Sequence, residues 1–195
     1  MATASFDAAY EGVPPWDIGR PQREIVRLID AGRIHGSVLD VGCGTGEHAL
    51  LLSSRGYEVW GIDSAPRAIR KAKRKRDARG LACTFVVGDA LDLGQFRRLF
   101  DAVIDCGLFH VFSDAERPRF VGSLAGVLRA GGVYHCLCFS EEEPTAWGGP
   151  RRVTQREIRE TFSAGWRVDA IQPAVFETNI HPHGGKAWLA SVTRL

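Results

Sequence analysis

The chain has 195 residues, 45% of them hydrophobic and 25% charged, with a formal net charge of +2. That size predicts one domain with a substantial core, and no apolar run approaches the roughly 18 residues of a membrane span. Residues 1–10 lack the basic and apolar stretches of a secretory signal, so a cytoplasmic protein without a membrane partner is expected. The five cysteines include no Cys-x-x-Cys pair, which argues against a disulfide framework and against a thiolate metal site.

In chain order, residues 6–21 hold three aromatics (Phe6, Tyr10, Trp16) and three prolines (Pro14, Pro15, Pro21). Such a stretch is too sticky for a disordered tail. It reads as a strap over the core or as a lid over a ligand, with Trp16 against an apolar face and Arg20 offered to a carboxylate. Strands are expected at 37–41, 57–62, 83–87, 101–106 and 133–139. Between them fall helices at 47–55, 65–80, 95–99 and 114–129, the second capped by Ser64 and stopped by Gly80, the last closed by Gly131-Gly132. Residues 141–152 form a loop rich in Glu, Pro and Gly. Thr154 caps a helix to Phe162 with Glu157 completing a capping box. Strands at 166–176 and 186–193 flank a Pro/His/Gly loop. Short apolar strands alternating with helices predict an α/β fold, a parallel sheet covered on both faces.

The helix at 65–80 crowds Arg67, Arg70, Lys71, Lys73, Arg74, Lys75, Arg76 and Arg79 against a single acid, Asp77. A solvated outer face explains such a run, and a nucleic-acid surface is the alternative. No aromatics interleave with these charges, which weighs against nucleic acid.

The chemistry concentrates at 38–48, Val-Leu-Asp-Val-Gly-Cys-Gly-Thr-Gly-Glu-His. A strand runs into a turn with Gly42, Gly44 and Gly46 at alternate positions, leaving the backbone open to a ligand. The following helix points free N–H groups at that space. Asp40 at the strand end adds a carboxylate for a cation. A dinucleotide fingerprint would need a glycine where Glu47 stands, and a phosphate loop would need Gly-Lys-Ser/Thr. Asp63 ends the second strand, where a carboxylate accepts both ribose hydroxyls or caps the next helix. Gly88-Asp89-Ala90 follows the third strand, and Asp105-Cys106-Gly107-Leu108-Phe109-His110 the fourth. All lie at carboxyl ends of strands, where open α/β sheets bind ligands. His110 is a candidate proton acceptor, an orienting group or a turn cap. Phe109 and Trp147 are candidate walls of an aromatic substrate pocket, or core. His181-Pro182-His183 reads as a surface loop in preference to a metal site.

The pattern Asp-x-Gly-x-Gly-x-Gly at Asp40–Gly46, joined by Asp63, Gly88-Asp89-Ala90 and the turn at 105–110, resembles the class I S-adenosylmethionine (SAM) dependent methyltransferases. The stretches Pro-Pro-Trp-Asp-Ile-Gly-Arg-Pro-Gln, Leu-Asp-Val-Gly-Cys-Gly-Thr-Gly-Glu-His and Gly-Leu-Phe-His-Val-Phe are similar to a thiopurine methyltransferase-like group that includes the mycobacterial heterocyclic toxin methyltransferase. The resemblance implies a Rossmann-like, seven-stranded, mostly parallel sheet with an antiparallel C-terminal edge strand. It implies SAM as cofactor, S-adenosylhomocysteine as product and no metal. It would divide the chain into a strap or lid (1–21), a SAM-binding core (36–139) and a substrate-side half (140–195). Trp16, Arg20, Asp40, Gly42, Cys43, Gly44, Gly46, Asp63, Ser64, Asp89, Ala90, Asp105 and Cys106 would meet the cofactor, with Asp40 near its ammonium and Asp89 at the adenine. The turn at 105–110 lacks the Asn/Asp-Pro-Pro-aromatic tetrad of amide and exocyclic-amine methylators, and no Pro-Cys pair of cytosine-C5 enzymes occurs. The implied acceptor is a small hydroxy- or amino-heteroaromatic, phenol or thiol, methylated on O, N or S. An RNA or protein methyltransferase using the basic helix, a non-catalytic SAM-binding protein and a nicotinamide oxidoreductase are the alternatives. The oligomeric state stays open.

Overall fold

The computed structural model describes residues 3–146 and 149–195. Seven strands form one sheet: β1 (Ser37–Val41), β2 (Glu58–Asp63), β3 (Thr84–Val87), β4 (Phe100–Cys106), β5 (Leu128–Phe139), β6 (Trp166–Phe176) and β7 (Gly185–Arg194). Their order is β3-β2-β1-β4-β5-β7-β6. The first five are parallel, and β7 runs antiparallel to both β5 and β6. The reversed strand therefore lies one place in from the edge, which β6 occupies.

Helices cover both faces, as parallel strands buried on both sides require. On one face α2 (Arg23–Asp30), α3 (Glu47–Ser54) and α4 (Pro66–Ala78) bury Ile25, Leu28, Leu50, Leu52 and Ile69 against Val38, Val59 and Phe85. On the other, α5 (Glu116–Val127) and α6 (Gln155–Thr161) pack Phe120, Leu124 and Ile158 against Tyr134, Phe162 and Trp166. A seven-residue helix, α1 (Thr3–Ala9), opens the N-terminal strap. Cys136 and Cys138, two apart on β5, share one face and are buried in the second of these clusters. Thr154 and Glu157 form the anticipated capping box.

Four local expectations are corrected. Helix α2 was not anticipated, although Ile25, Leu28 and Ile29 carry the i, i+3, i+4 spacing of a buried helical face. The helix expected at 95–99 is a kinked 3₁₀ segment, Ala90–Phe96, begun by the Asp89 carboxylate on the Leu91 N–H and ended by Arg97 at φ 48°. Helix α4 starts at Pro66 with no side-chain cap; Asp63, not Ser64, accepts the Ala65 N–H at 2.8 Å. The Gly131-Gly132 pair does not close a helix, since α5 ends at Val127 and β5 begins at once. The pair lies in an irregularity where the partners jump from Phe100↔Leu128 to Ala102↔Val133. A side chain at Gly132 would come within 2.9 Å of the Asp101 carbonyl.

Candidate active site

The glycine turn leaves β1 and is tied to β2 by the Gly42 and Cys43 N–H groups, which donate to the Ile62 carbonyl at 2.8 and 3.0 Å. Gly42, Gly44 and Gly46 all have positive φ (70°, 53° and 86°), a conformation L side chains rarely adopt. Each also meets a different neighbour. A Cβ at Gly42 would lie 3.0 Å from Leu108, at Gly44 2.8 Å from the Tyr10 hydroxyl, and at Gly46 2.6 Å from Phe85. The turn is thus pressed by the end of β4, by the strap and by β3 together. What remains open is a cavity of about 1020 Å³ at the carboxyl ends of the parallel strands, into which all three glycines, Cys43, Asp63 and Ser64 project.

Asp63 stands at the centre of this half. Its Oδ2 accepts the Gly44 N–H and its Oδ1 the Ala65 N–H, each at 2.8 Å. Each oxygen keeps a second lone pair for a hydroxyl. Burial raises its pKa and the two backbone N–H groups oppose that rise. Asp89 spends one oxygen on the Leu91 N–H at 2.9 Å, is exposed, and lines the cavity with Ala90.

Two acids expected at the ligand stand behind it. Asp40 is not among the cavity-lining residues; its Oδ2 accepts the Ala49 N–H of α3 at 3.2 Å and its Oδ1 has no partner among the described residues. Burial pushes its pKa up to about 8. Asp105 likewise points away from the cavity. It takes the Leu108 and Phe109 N–H groups at 2.8 and 3.3 Å and the Tyr134 hydroxyl at 2.7 Å, and burial lifts its pKa to about 7. Its role is to fold the turn that presents Cys106, Gly107 and His110. Phe109 is a third correction. Its ring is fully buried between Phe120 and Phe162, 5.9 Å from the latter, and lies outside the cavity wall. Trp147 falls outside the described residues.

The strap roofs the cavity and is held along both margins. Toward α4, the Arg67 N–H donates to Asp7 at 2.7 Å, the Arg67 guanidinium pairs with Asp7 and Glu11, and Lys71 donates to the Gly12 carbonyl. Thr45, in the glycine turn, donates to Asp17 and accepts from Lys75, bonds of 2.8 and 2.7 Å. Toward the loop after β6, Glu177 accepts from both Arg20 nitrogens (3.0 and 2.9 Å) and from the Arg23 N–H (3.0 Å), while the Gln22 side chain bonds its backbone on both sides. Asn179 adds bonds to the Pro14 and Pro15 carbonyls. Arg20 therefore has its charge matched by Glu177 before any ligand enters, contrary to the expectation of a cation free for a carboxylate. Trp16 lines the cavity and its indole N–H donates to the Tyr10 hydroxyl at 2.9 Å. The basic run gains a structural reason as well. Arg67 and Lys71 anchor the strap, and Lys75 and Arg79 hold Glu47 at the start of α3. Arg70, Lys73 and Arg74 are exposed.

Beyond the glycine turn the wall becomes aromatic. His110 sits on a single 3₁₀ turn, Phe109–Val111, stacked on Phe139 at 5.0 Å and tilted against Phe176 at 5.6 Å. Its Nδ1 accepts the Phe139 N–H at 3.1 Å, and burial depresses its pKa to about 3. A neutral ring whose Nδ1 accepts carries its hydrogen on Nε2. The expectation of His110 as a proton acceptor is thereby corrected: the nitrogen left for a ligand is a donor. Sequence reasoning missed Phe139, Phe176, Thr178 and Arg151 in this wall. Phe176 was visible only as the last residue of a strand. Among the described residues no cluster of His, Cys, Asp or Glu fits a metal ion.

A glycine turn at the end of β1, an acid at the end of β2 and a second after β3 stand where doubly wound sheets bind nucleoside cofactors. A methyltransferase domain model matches residues 38–132. Over 184 residues, 89% of this chain and 81% of the relative, the sequence is 38% identical to a 2-heptyl-1-hydroxyquinolin-4(1H)-one methyltransferase of Mycobacteroides abscessus. A demethylmenaquinone methyltransferase of Thermus thermophilus is 41% identical over 118 residues, 60% of this chain and 53% of that protein. A solved structure from work on the conversion of a disulfide bond into a thioacetal group during echinomycin biosynthesis is 38% identical with a TM-score of 0.89, covering 99% of this chain and 93% of that one. A magnesium protoporphyrin IX methyltransferase from Synechocystis with bound SAM, 18% identical at TM-score 0.67 over 98% of this chain and 81% of that one, shares the fold. The chain belongs to the SAM-dependent methyltransferases. The open backbone of the glycine turn and the spare lone pairs of Asp63 fit that cofactor, which supplies a methyl group already activated on a sulfonium.

Proposed function

We propose that this enzyme moves the methyl group of SAM to an oxygen, nitrogen or sulfur atom of a small aromatic or heteroaromatic molecule bound inside the roofed cavity. The observation that carries the reading is the division of that cavity: glycine backbone and carboxylates on one side, His110, Phe112, Phe139 and Phe176 on the other. Its volume of about 1020 Å³ is at the upper end for a single drug-sized ligand, which suits a cofactor with a small acceptor beside it. Two relatives are named for a hydroxyquinolone and for demethylmenaquinone, in keeping with the aromatic wall.

In this assignment Asp63 receives the ribose hydroxyls, Asp89 and Ala90 meet the adenine, and Gly42 to Gly46 lie along the methionine portion. Residues 1–21 act as strap and lid, 36–139 as the cofactor core and 140–195 as the substrate-side half. The chain's own contribution is to hold the acceptor atom in line with the methyl at about 3 Å and to exclude water. The RNA or protein alternative loses support from the engagement of Arg67, Lys71, Lys75 and Arg79 with acids and carbonyls of this chain. No described helix is long and apolar enough to cross a membrane, and we place the enzyme in the cytoplasm. Methyl-labelled SAM incubated with a panel of phenols, thiols and hydroxyquinolones tests the reading. Label on a ring-borne heteroatom supports it; label confined to RNA or protein contradicts it.

A further inference from the structure

We propose that the cavity takes acceptors that have already lost their proton, and that His110 greets the resulting anion with a hydrogen bond from Nε2–H. The inference rests on the small-acceptor reading above and narrows it to a chemical class: hydroxyl, N-hydroxyl or thiol groups acidic enough to be ionised at working pH.

The Phe139 N–H occupies the Nδ1 lone pair of His110 at 3.1 Å. Buried backbone N–H groups are seldom left unpaired, so the bond resists exchange. The ring is 4% exposed, stacked on Phe139, and lines the cavity with no other hydrogen bond among the described residues. Its remaining nitrogen therefore offers hydrogen, not a lone pair. Burial lowers its proton affinity.

The groups on the surrounding elements are committed elsewhere. At the end of β4, Asp105 faces Tyr134 and the turn amides, and burial lifts the Cys106 thiol. Cys138 of β5 is in the core on the far side. Glu177, beyond β6, is held by Arg20 and Arg23. Glu116, at the α5 edge of the cavity, accepts from the Ser113 N–H and hydroxyl at 2.8 and 2.7 Å. His48 accepts the Gln22 N–H at Nε2, and burial lowers its pKa to about 4. His181, on the loop after β6, also lines the cavity, as does Arg151, which is paired with Asp114 and Glu157. At the turn that carries His110 the wall thus presents a hydrogen-bond donor. The acceptor anion's lone pair forms the new bond to the methyl carbon while the carbon–sulfur bond breaks and its electron pair returns to sulfur. Charge is balanced by the loss of the sulfonium, and no proton passes to the protein.

The decisive experiment is the pH dependence of kcat/KM for thiophenols and 1-hydroxyquinolin-4-ones graded in acidity by ring substituents. The proposal expects each acidic limb to fall about ten-fold per pH unit below that acceptor's own pKa, the midpoint moving along the series. A midpoint common to all acceptors means an enzyme base, His181 included, and overturns it. Absence of turnover with every aromatic acceptor would instead defeat the functional reading beneath it. A second readout needs no turnover: ¹⁵N NMR of histidine-labelled protein, with His110→Phe providing the assignment. Hydrogen on Nε2 and a bare Nδ1 near neutral pH is expected; the opposite tautomer or a protonated ring overturns the proposal. With an ionised acceptor at high pH, His110→Phe should lose roughly 10- to 100-fold in kcat/KM, the range of a hydrogen bond to a charged group. An unchanged value refutes the donor role.

Discussion

The two halves of the cavity are built differently. The proposed cofactor half is made where consecutive parallel strands end, so Gly42–Gly46, Asp63 and Asp89 each sit a few residues from a strand terminus and need only the sheet to bring them together. The proposed acceptor half is assembled across the whole chain, with His110 from the turn after β4, Phe139 from β5 and Phe176 from β6, while Trp16 and Arg20 of the strap, expected at the cofactor, line the same cavity. Its clasp joins Arg20 to Glu177, 157 positions apart. The first half is rigid backbone geometry and the second is side-chain packing. One half is thus specified by local spacing, the other by contacts between residues far apart in the chain.

That contrast yields experiments of decreasing size. Gly46→Val should disrupt the cofactor half most. Its φ of 86° and the 2.6 Å approach to Phe85 combine backbone strain with overpacking, together about 2–5 kcal/mol in urea unfolding. A loss under about 0.5 kcal/mol would show the turn to be pliable. Next, Asp63→Ala should weaken SAM binding roughly 10- to 100-fold by calorimetry, from lost hydrogen bonds of a charged group. Unchanged affinity would remove Asp63 from the ribose.

Glu177→Ala addresses the other half. Releasing Arg20, Gln22 and Arg23 should raise the acceptor KM and speed proteolysis of the strap, at a stability loss of about 1 kcal/mol given the exposure of Arg20. SAM affinity should stay within about two-fold, the signature of independent halves. The Arg20 guanidinium holds the Glu177 pKa below its ordinary 4.5. A lowered folded-state pKa gives stability that is present above the unfolded value and lost as pH falls through the folded one. The clasp should therefore hold at neutral pH and loosen in acid below about 4.5. The smallest effect belongs to Lys73→Ala with Arg74→Ala on the exposed side of α4, expected within about 0.5 kcal/mol in stability and without effect on turnover. Salt-dependent RNA binding abolished by that pair would revive the nucleic-acid alternative.

Much of the fold was legible because its strands and helices carry strong periodic signals, and the Thr154–Glu157 cap could be read letter by letter. Helix α2 was harder to read because it has only eight residues and no side-chain cap at Gln22, although Ile25, Leu28 and Ile29 share its buried face. In the site, the placement of the glycines and Asp63 at the cavity was legible because it follows from backbone conformation and strand position. Asp40, Asp105 and Phe109 misled because a residue beside a motif and a residue facing the ligand look alike in one dimension; which way each side chain turned was decided by Ala49, Tyr134 and Phe162. The tautomer of His110 was not legible at all, since it depends on a backbone N–H 29 positions away.

The most direct test is a crystal structure of the enzyme with S-adenosylhomocysteine and the best acceptor from the labelled-SAM panel. The account predicts the sulfur against the Gly42–Gly46 turn, the ribose on Asp63, and the acceptor heteroatom about 3 Å from Nε2 of His110 between Phe139 and Phe176. An acceptor bound outside the roofed cavity, or one whose heteroatom faces away from His110, would contradict it.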